Sequence, residues 1–356
     1  MTDQRWVLHV DLDQFLAAVE ILRRPELAGL PVVVGGRGVV TERAVVSTAS
    51  YEAREFGIRS GMPLRTAHTR CPDAVFLPVD FPVYEAASEQ VMAALRTLEW
   101  GGVPVVVEVL GWDEAFVGAG EGHGDLGDPV GFAGEVRAAV LAATLLECSV
   151  GVGNNVLQAK IATDFGKPKG AFTITDETWF DQMGERPTRA LWGVGAKIAG
   201  RLSRLGIETV HDLATSDPRL LVGEFGPTMG PWFHRLGRGV DTRVVDATPW
   251  VPRAHGHEET FQTDLEWPEV PDAVRRLAAR ALASIDREGR PAMRVHLKIR
   301  YRNFFTLTRS RKLPEPSRDL TVVGDAAVAL LDRVEQVKPV RLLGVRLEMV
   351  PPEGGY

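Results

Sequence analysis

VDLDQFLAAVE, residues 10–20, is the stretch on which the reading of this chain turns. The apolar run RWVLHV before it stops at two aspartates, as a strand buried at the centre of a sheet would. Asp11 then stands at the strand end. Asp13 is placed to cap a helix from about Gln14 to Arg24, which Pro25 closes. One carboxylate at a strand end is an ordinary solvated or capping group. It becomes a site only where other acids converge on it.

Two more acids are in reach. Asp113 and Glu114 follow the apolar run VVVEVLGW, and if that strand neighbours the first one, three carboxylates meet at a point. Magnesium takes oxygen ligands and leaves positions for substrate phosphates, so such a group suits two-metal phosphoryl transfer. Adjacent strand residues face opposite sides, so Asp113 and Glu114 share a site only where the strand starts, bends or bulges. Gly111 makes a bend easy.

Outward from these acids the chain alternates strands and helices. PVVVGG and RAVVSTAS are strand candidates, and SYEAREFG is a short helix stopped by Gly57. A long amphipathic helix follows, then the strand pair VPVVVEVLG and DEAFVG. A helix from Val130 to Glu147 has Asp128 as N-cap and Pro129 at its first position. CSVGVG is a strand and NNVLQAKIATDFG a helix. From about residue 175 to Gly239 the chain breaks into short helices. There GVGAKIAG sets Gly193 and Gly195 before a helix carrying Lys197, exposing backbone N–H groups to a phosphate. Arg243 to Gly256 is a linker candidate with two prolines. Residues 257–350 give strand, helix, two strands, helix, strand, an α+β unit with its own core.

Composition sets the outer limits. At 356 residues two or three compact units are expected, and 45% apolar residues can fill them. No apolar stretch approaches a membrane span and no leader pattern opens the chain, so a soluble cytosolic protein is expected. Cys71 and Cys148 stand far apart, which argues against a CxxC zinc site and a disulfide framework. No HExxH occurs among the histidines, and GGRG at residues 35–38 lacks the GK[ST] of a P-loop. Net charge is −6, but its distribution is uneven: residues 251–356 carry 18 basic and 15 acidic side chains, leaving 23 and 32 to the rest. RVHLKIRYRNFFTLTRSRK, residues 294–312, has seven basic residues and no acid. In it Lys298, Arg300 and Arg302 fall on one strand face and Arg309 with Arg311 on another, a sequence-independent phosphate surface.

Taken together these segments resemble the Y-family of translesion DNA polymerases, in its DinB or polymerase IV branch. VDLDQFLAAVE resembles the opening motif, SYEAREFGIRSGMP the fingers motif and VEVLGWDEAFVG the second acidic motif. VGNNVLQAKIATDFGKPKG resembles the end of the palm, LWGVGAKIAGRLSRLGI the thumb hairpin, and HEETF with the basic strip the little finger. The motifs occur in family order from residue 10 to about 347. The resemblance implies an α+β multidomain right hand. Its parts are a palm of mixed sheet and helices (1–13 and 80–174), small fingers (14–79), a helix-hairpin-helix thumb (175–240), a linker (241–253) and an α+β little finger (254–350). It implies that Asp11, Asp113, Glu114 and the Leu12 carbonyl hold two Mg²⁺ ions, with Mn²⁺ as a substitute. Phe15, Leu16, Thr48, Tyr51, Arg54 and Lys167 fall at the nucleotide positions. The partners implied are primer-template DNA and nucleoside triphosphates, with no membrane and one copy of the chain. The activity implied is low-fidelity, template-directed synthesis without proofreading. Alternatives are a palm-type nucleotidyl cyclase and an inactive DNA-binding scaffold. The first leaves the hairpin and basic strip without a use, and the second is opposed by the presence of all three acids.

Two departures carry expectations of their own. The family has Phe or Tyr where Leu16 stands, a ring that stacks on the sugar and collides with a 2′-hydroxyl. Leu16 at this steric-gate position implies that ribonucleotides are accepted. The chain also closes on MVPPEGGY without a QxxLF-like segment, so binding of a sliding clamp through the tail is not expected.

Overall fold

The computed structural model describes residues 6–119 and 127–356. They form two compact units, one of residues 6–40, 44–119 and 127–248 and one of Thr41–Arg43 with Pro249–Tyr356.

The first unit is built on a five-stranded sheet with Val7–Leu12 at its centre. Glu114–Gly118 and Cys148–Gly153 flank it antiparallel, Val106–Val109 forms one edge, and Ala171–Ile174 runs parallel to Cys148–Gly153 at the other. Alternation along the central strand divides the work. Leu8, Val10 and Leu12 join one core with residues of the helices Phe81–Arg96 and Pro129–Thr144. Val7 and His9 face the other way, onto the helix Val156–Gly166.

Helix ends follow local chemistry. Asp128 Oδ1 accepts from Val130 N at 2.9 Å and Asn155 Oδ1 from Gln158 N at 3.0 Å. The helix from Pro129 ends at Thr144, short of the expected Glu147, because Leu145 turns left-handed at φ 59°. Gly57, at φ 74°, closes the helix Tyr51–Glu55 as expected. Asp13 does not cap the first helix. That helix is Phe15–Arg23, and its N-cap is Gln14 in a left-handed conformation with no side-chain cap.

A three-stranded sheet ordered Thr48–Ala49, Val32–Val34, Val75–Leu77 carries the helices Tyr51–Glu55 and Leu64–Arg70 on a small core around Ile58 and Leu64. RAVVSTAS contributes only its Thr48–Ala49 pair as strand. Beyond the large sheet, Trp179–Met183, Ala196–Ser203, Val210–Thr215 and Pro218–Gly237 pack around Trp179, Leu202, Leu213 and Phe233. Thr209 and Asp212 form a capping box at Val210.

The second unit is a four-stranded antiparallel sheet ordered Ala254–Leu265, Val340–Met349, Ala292–Tyr301, Thr306–Ser317. Val295, Leu297, Ile299, Leu343, Val345 and Leu347 bury against Val270–Arg287 and Leu320–Val328. The alternate residues Arg294, His296, Lys298 and Arg300 therefore lie on the uncovered face.

One glycine measures how closely helix and sheet approach in the first unit. A Cβ on Gly151 would sit 2.0 Å from Ala159 O and 2.3 Å from Thr163 N. Gly151→Ala therefore forces the helix Val156–Gly166 off the sheet, with a loss of about 1–3 kcal/mol in urea unfolding. Wild-type stability in that variant would contradict the packing.

Candidate active site

The central strand delivers its acid next to the second pair. Asp11 is register partner to Glu114, and Leu12 N donates to Asp113 O at 2.8 Å. Glu114 is the first residue of its strand, so Asp113 lies on the turn before it. The conflict of adjacent residues facing opposite sides is thus resolved by a strand start, and the Asp11, Leu12, Asp113 and Glu114 backbones come together.

Their side chains are engaged with lysines. Lys167 Nζ lies 2.9 Å from Asp11 Oδ1, and Lys160 Nζ 2.5 Å from Glu114 Oε2. Among the described residues, no three His, Cys, Asp or Glu side chains gather around one point as they would about a single ion. Burial pushes the Asp11 carboxyl above its usual range, and Lys167 offsets only part of that. Asp113 is also pushed up, by desolvation and by Glu114, an effect that its exposure reduces. Burial alone would lower Lys167, but Asp11 and Asp164 outweigh it and raise the ammonium. Glu114 goes the opposite way, held down at about 2 by His9 and Lys160.

His9 and Lys160 escaped the sequence reading. His9 is 1% exposed, with Nδ1 2.8 Å from Thr163 Oγ1 and Nε2 3.1 Å from Lys160 Nζ and 3.3 Å from Glu114 Oε2. Nε2 cannot donate to Glu114 while it accepts from Lys160. Burial lowers the His9 pKa, so where Nε2 accepts from Lys160 the ammonium is the charge beside Glu114. Strand alternation was the available signal: His9 is two residues before Asp11 and shares its face. A cavity of about 230 Å³ lies beside these groups, walled by His9, Asp11, Lys160, Arg189 and Trp192.

The expected nucleotide residues divide by accessibility. Phe15 and Leu16 belong to the main core, at 3% and 9% exposure. Thr48, Tyr51 and Arg54 are half-buried. Tyr51 N donates to Gln14 Oε1 at 2.6 Å, the Arg54 guanidinium stands 4.9 Å from the Tyr51 ring centre, and Arg54 Nε donates to Ala49 O at 3.0 Å. Asp13 is buried and accepts from the Tyr51 hydroxyl at 2.6 Å, from Ser149 Oγ at 3.0 Å and from Lys169 N at 2.8 Å. Burial and the bond to Asp13 push the Tyr51 phenol far above its usual range.

The expected DNA contacts also separate. Gly193, at φ 88°, Gly195 and Lys197 are exposed at the start of the helix Ala196–Ser203. Lys298 and Arg300 lie on the uncovered face of the second unit's sheet, whereas Arg302 stands beyond the strand end at Tyr301. Arg309 and Arg311 pair with Leu297 and Val295 and so lie on the helix-covered side. Arg346 and Lys312 pair with His296 and Arg294 and add to the uncovered face. A groove of about 340 Å³ crosses that face over Gly256 and Gly344.

A central strand that carries an acid beside a second acidic pair, lysines over both, and a basic accessory sheet define a polymerase-type nucleotidyltransferase. Residues 10–164 match the impB/mucB/samB family, 252–356 that family's C-terminal domain, and 189–241 the thumb domain of DNA polymerase iota. DNA polymerase IV 2 of Mycobacterium tuberculosis (strain ATCC 25618 / H37Rv) is 51% identical over 347 residues, covering 97% of this chain and 98% of its own. DNA polymerase IV of Methanoculleus marisnigri is 37% identical, covering 99% and 96%. A solved Y-family polymerase chimera of Dbh and Dpo4 superposes with TM-score 0.82 at 26% identity, over 96% of this chain and 98% of that one. The chain belongs to the DinB-type branch of the Y-family translesion DNA polymerases and is a DNA-directed DNA polymerase.

The Glu114 contacts have a pH signature. A carboxyl depressed on folding adds stability that is present above its unfolded pKa and fades as pH falls through the folded one. Asp11 and Asp113, raised on folding, act with the opposite sign, so the informative quantity is a difference. In metal-free protein, wild type should lose stability relative to Glu114→Gln as pH falls from about 4.5 toward 2, measured by urea unfolding. Parallel profiles would refute the assignment.

Proposed function

We propose that Asp11, Asp113, Glu114 and the Leu12 carbonyl hold two divalent ions, Mg²⁺ or Mn²⁺, for nucleotidyl transfer to a primer 3′-hydroxyl. The observation that carries this reading is the Asp11–Glu114 register, with an ammonium on each carboxylate. The donor set fits the ions: all donors are oxygens, and the raised carboxyls of Asp11 and Asp113 favour a cation among them. When bound, the metals would activate the primer hydroxyl and steady the leaving pyrophosphate. The chain's own residues do the rest. Lys167 and Arg54 offset triphosphate charge that the carboxylates would repel. Lys160 keeps Glu114 ionised and fixes its direction. We assign the palm to 1–13 and 80–174, the fingers to 14–79, the thumb to 175–240, the linker to 241–253 and the little finger to 254–350.

Primer-template extension tests the site. Asp113→Ala should abolish it with either metal, since the loss of a ligand carboxylate removes charge made for the transition state. Extension that survives the substitution would remove Asp113 from the site.

DNA grip follows from phosphate contact without base readout. Gly193, Gly195 and Lys197 offer backbone amides and a charge, and Lys298, Arg300, Arg302, Arg309 and Arg311 offer cations, joined by Arg346. Arg346→Ala should weaken binding to all duplexes alike and flatten the plot of log affinity against log salt by about one unit. An unchanged slope would take the uncovered sheet face out of the DNA contact. We assign the protein to the cytoplasm on the ground that its proposed substrate is DNA; among the described residues no helix is long and apolar enough to cross a membrane.

Sugar choice rests on Leu16. A branched aliphatic side chain there leaves space at C2′, so ribonucleoside triphosphates are substrates beside deoxynucleoside triphosphates. Leu16→Phe should raise discrimination against ribonucleotides by about tenfold or more, the effect of a steric conflict of some 1–3 kcal/mol. The measurement is the ratio of kcat/KM for the two sugars. Equal, strong discrimination by both enzymes would end the proposal.

A further inference from the structure

Asp13 neither caps a helix nor belongs to the metal set, yet its carboxylate is 3% exposed and tied to three segments. Oδ1 accepts from the Tyr51 phenol at 2.6 Å and from Ser149 Oγ at 3.0 Å, Oδ2 accepts from Lys169 N at 2.8 Å, and Ser149 Oγ is also 3.2 Å from Oδ2. Every one of these partners donates. They come from the helix Tyr51–Glu55, the strand Cys148–Gly153 and the segment just after Lys167. Asp13 thus fastens two of the residues assigned to the triphosphate, Tyr51 directly and Lys167 through Lys169 two residues on, to the end of the acid-bearing strand.

The phenol has one proton. While that proton is donated to Asp13 in a hydrogen bond, the Tyr51 oxygen offers only lone pairs elsewhere, and a phosphate oxygen approaching it is repelled. The ring itself is held apart from this choice, by Tyr51 N on Gln14 Oε1 and by the Arg54 guanidinium against its face. The hydroxyl can therefore turn while the ring stays. We propose that Asp13 is a positioning residue that holds the Tyr51 hydroxyl in the free enzyme, and that an arriving nucleoside triphosphate takes this hydrogen bond from it. The proton stays on the phenol oxygen throughout, and only its acceptor changes. Asp13 keeps Ser149 and Lys169, so the strand end and the Lys167 segment stay fixed while Tyr51 is released. The inference rests on the nucleotide-site assignment above.

The all-donor surroundings of Asp13 make Asp13→Asn an informative change. Lys169 N–H can only donate, so the single amide oxygen is drawn to it. The amide NH₂ then faces Tyr51 and Ser149, whose oxygens can accept. The phenol proton is thereby freed for the phosphate in advance. The expected result is nucleotide affinity improved by about fivefold, the scale of one charge-assisted hydrogen bond no longer competed for. It is read as KM in steady-state extension and as Kd in single-turnover extension. In a Tyr51→Phe background the same change should have no such effect. An equal effect of Asp13→Asn with and without the Tyr51 hydroxyl, or a loss of affinity confined to the tyrosine background, overturns the proposal.

Ser149→Ala decides independently if Asp13→Asn does not fold. It strips Asp13 of one donor, strengthens its hold on Tyr51, and should weaken nucleotide binding about two- to threefold, again only where Tyr51 is present. Unchanged or tighter binding in that variant counts against the switch. Arg54→Ala and Lys167→Ala separate the two levels of the argument. If neither weakens nucleotide binding, the site assignment itself fails. If both do, the Asp13 and Ser149 results bear on the switch alone.

Discussion

The register that sets Asp11 opposite Glu114 is the constraint on which this site depends. A strand has a period of two, so slipping it by one residue would turn Leu8, Val10 and Leu12 out of the core together with the acid they carry to its place. Core and site are the two faces of one strand, and the apolar face enforces the charged one. The helix Val156–Gly166 completes the arrangement. Lys160 and Lys167, seven residues apart, lie close to two turns of an α-helix from one another, and each reaches one of the paired acids. They get there because the helix lies against Gly151 with no room for a methyl group. The close approach that requires glycine is the same approach that lays two cations over two carboxylates.

Much of this was legible because it depends on local periodicity and caps. The central strand, Asp128 before Pro129, Gly57 after the Tyr51 helix, and the strand and helix order of the second unit follow from short-range patterns that the tertiary structure does not override. Asp13 was misread because an aspartate before a helix is a good cap in isolation. What decided otherwise is long-range: Tyr51, Ser149 and Lys169 lie far along the chain and together offer more donors than the helix end does. His9 and Lys160 were invisible for a related reason. A histidine inside an apolar strand and a lysine on a helix carry no mark of function until the helix is laid across the strand.

The basic strip shows what period-two reading can and cannot give. Alternation placed Lys298 and Arg300 together and separated them from Arg309 and Arg311, and the structure keeps that division. It could not say which face the helices cover, since that is fixed by Leu297 and Val295 meeting the helices from the other side of the sheet. Nor could one strand's pattern show Arg346, which arrives on a separate strand nearly fifty residues later.

The setting of Leu16 ties the proposed sugar choice to packing. Its helix begins from Gln14, held left-handed, and Gln14 Oε1 also receives the Tyr51 amide, so the first turn is anchored to the helix Tyr51–Glu55. Phe15 and Ala17 beside it are buried at 3% and 0%, and Leu16 itself shows only 9% of its surface. A core packed this closely has no room for the extra atoms of a ring behind the backbone. Any larger side chain at this position must displace that packing or grow into the small part of the residue that is exposed. On the proposed reading of Leu16 as the gate, it is the full core behind the residue that would turn a larger side chain toward the sugar.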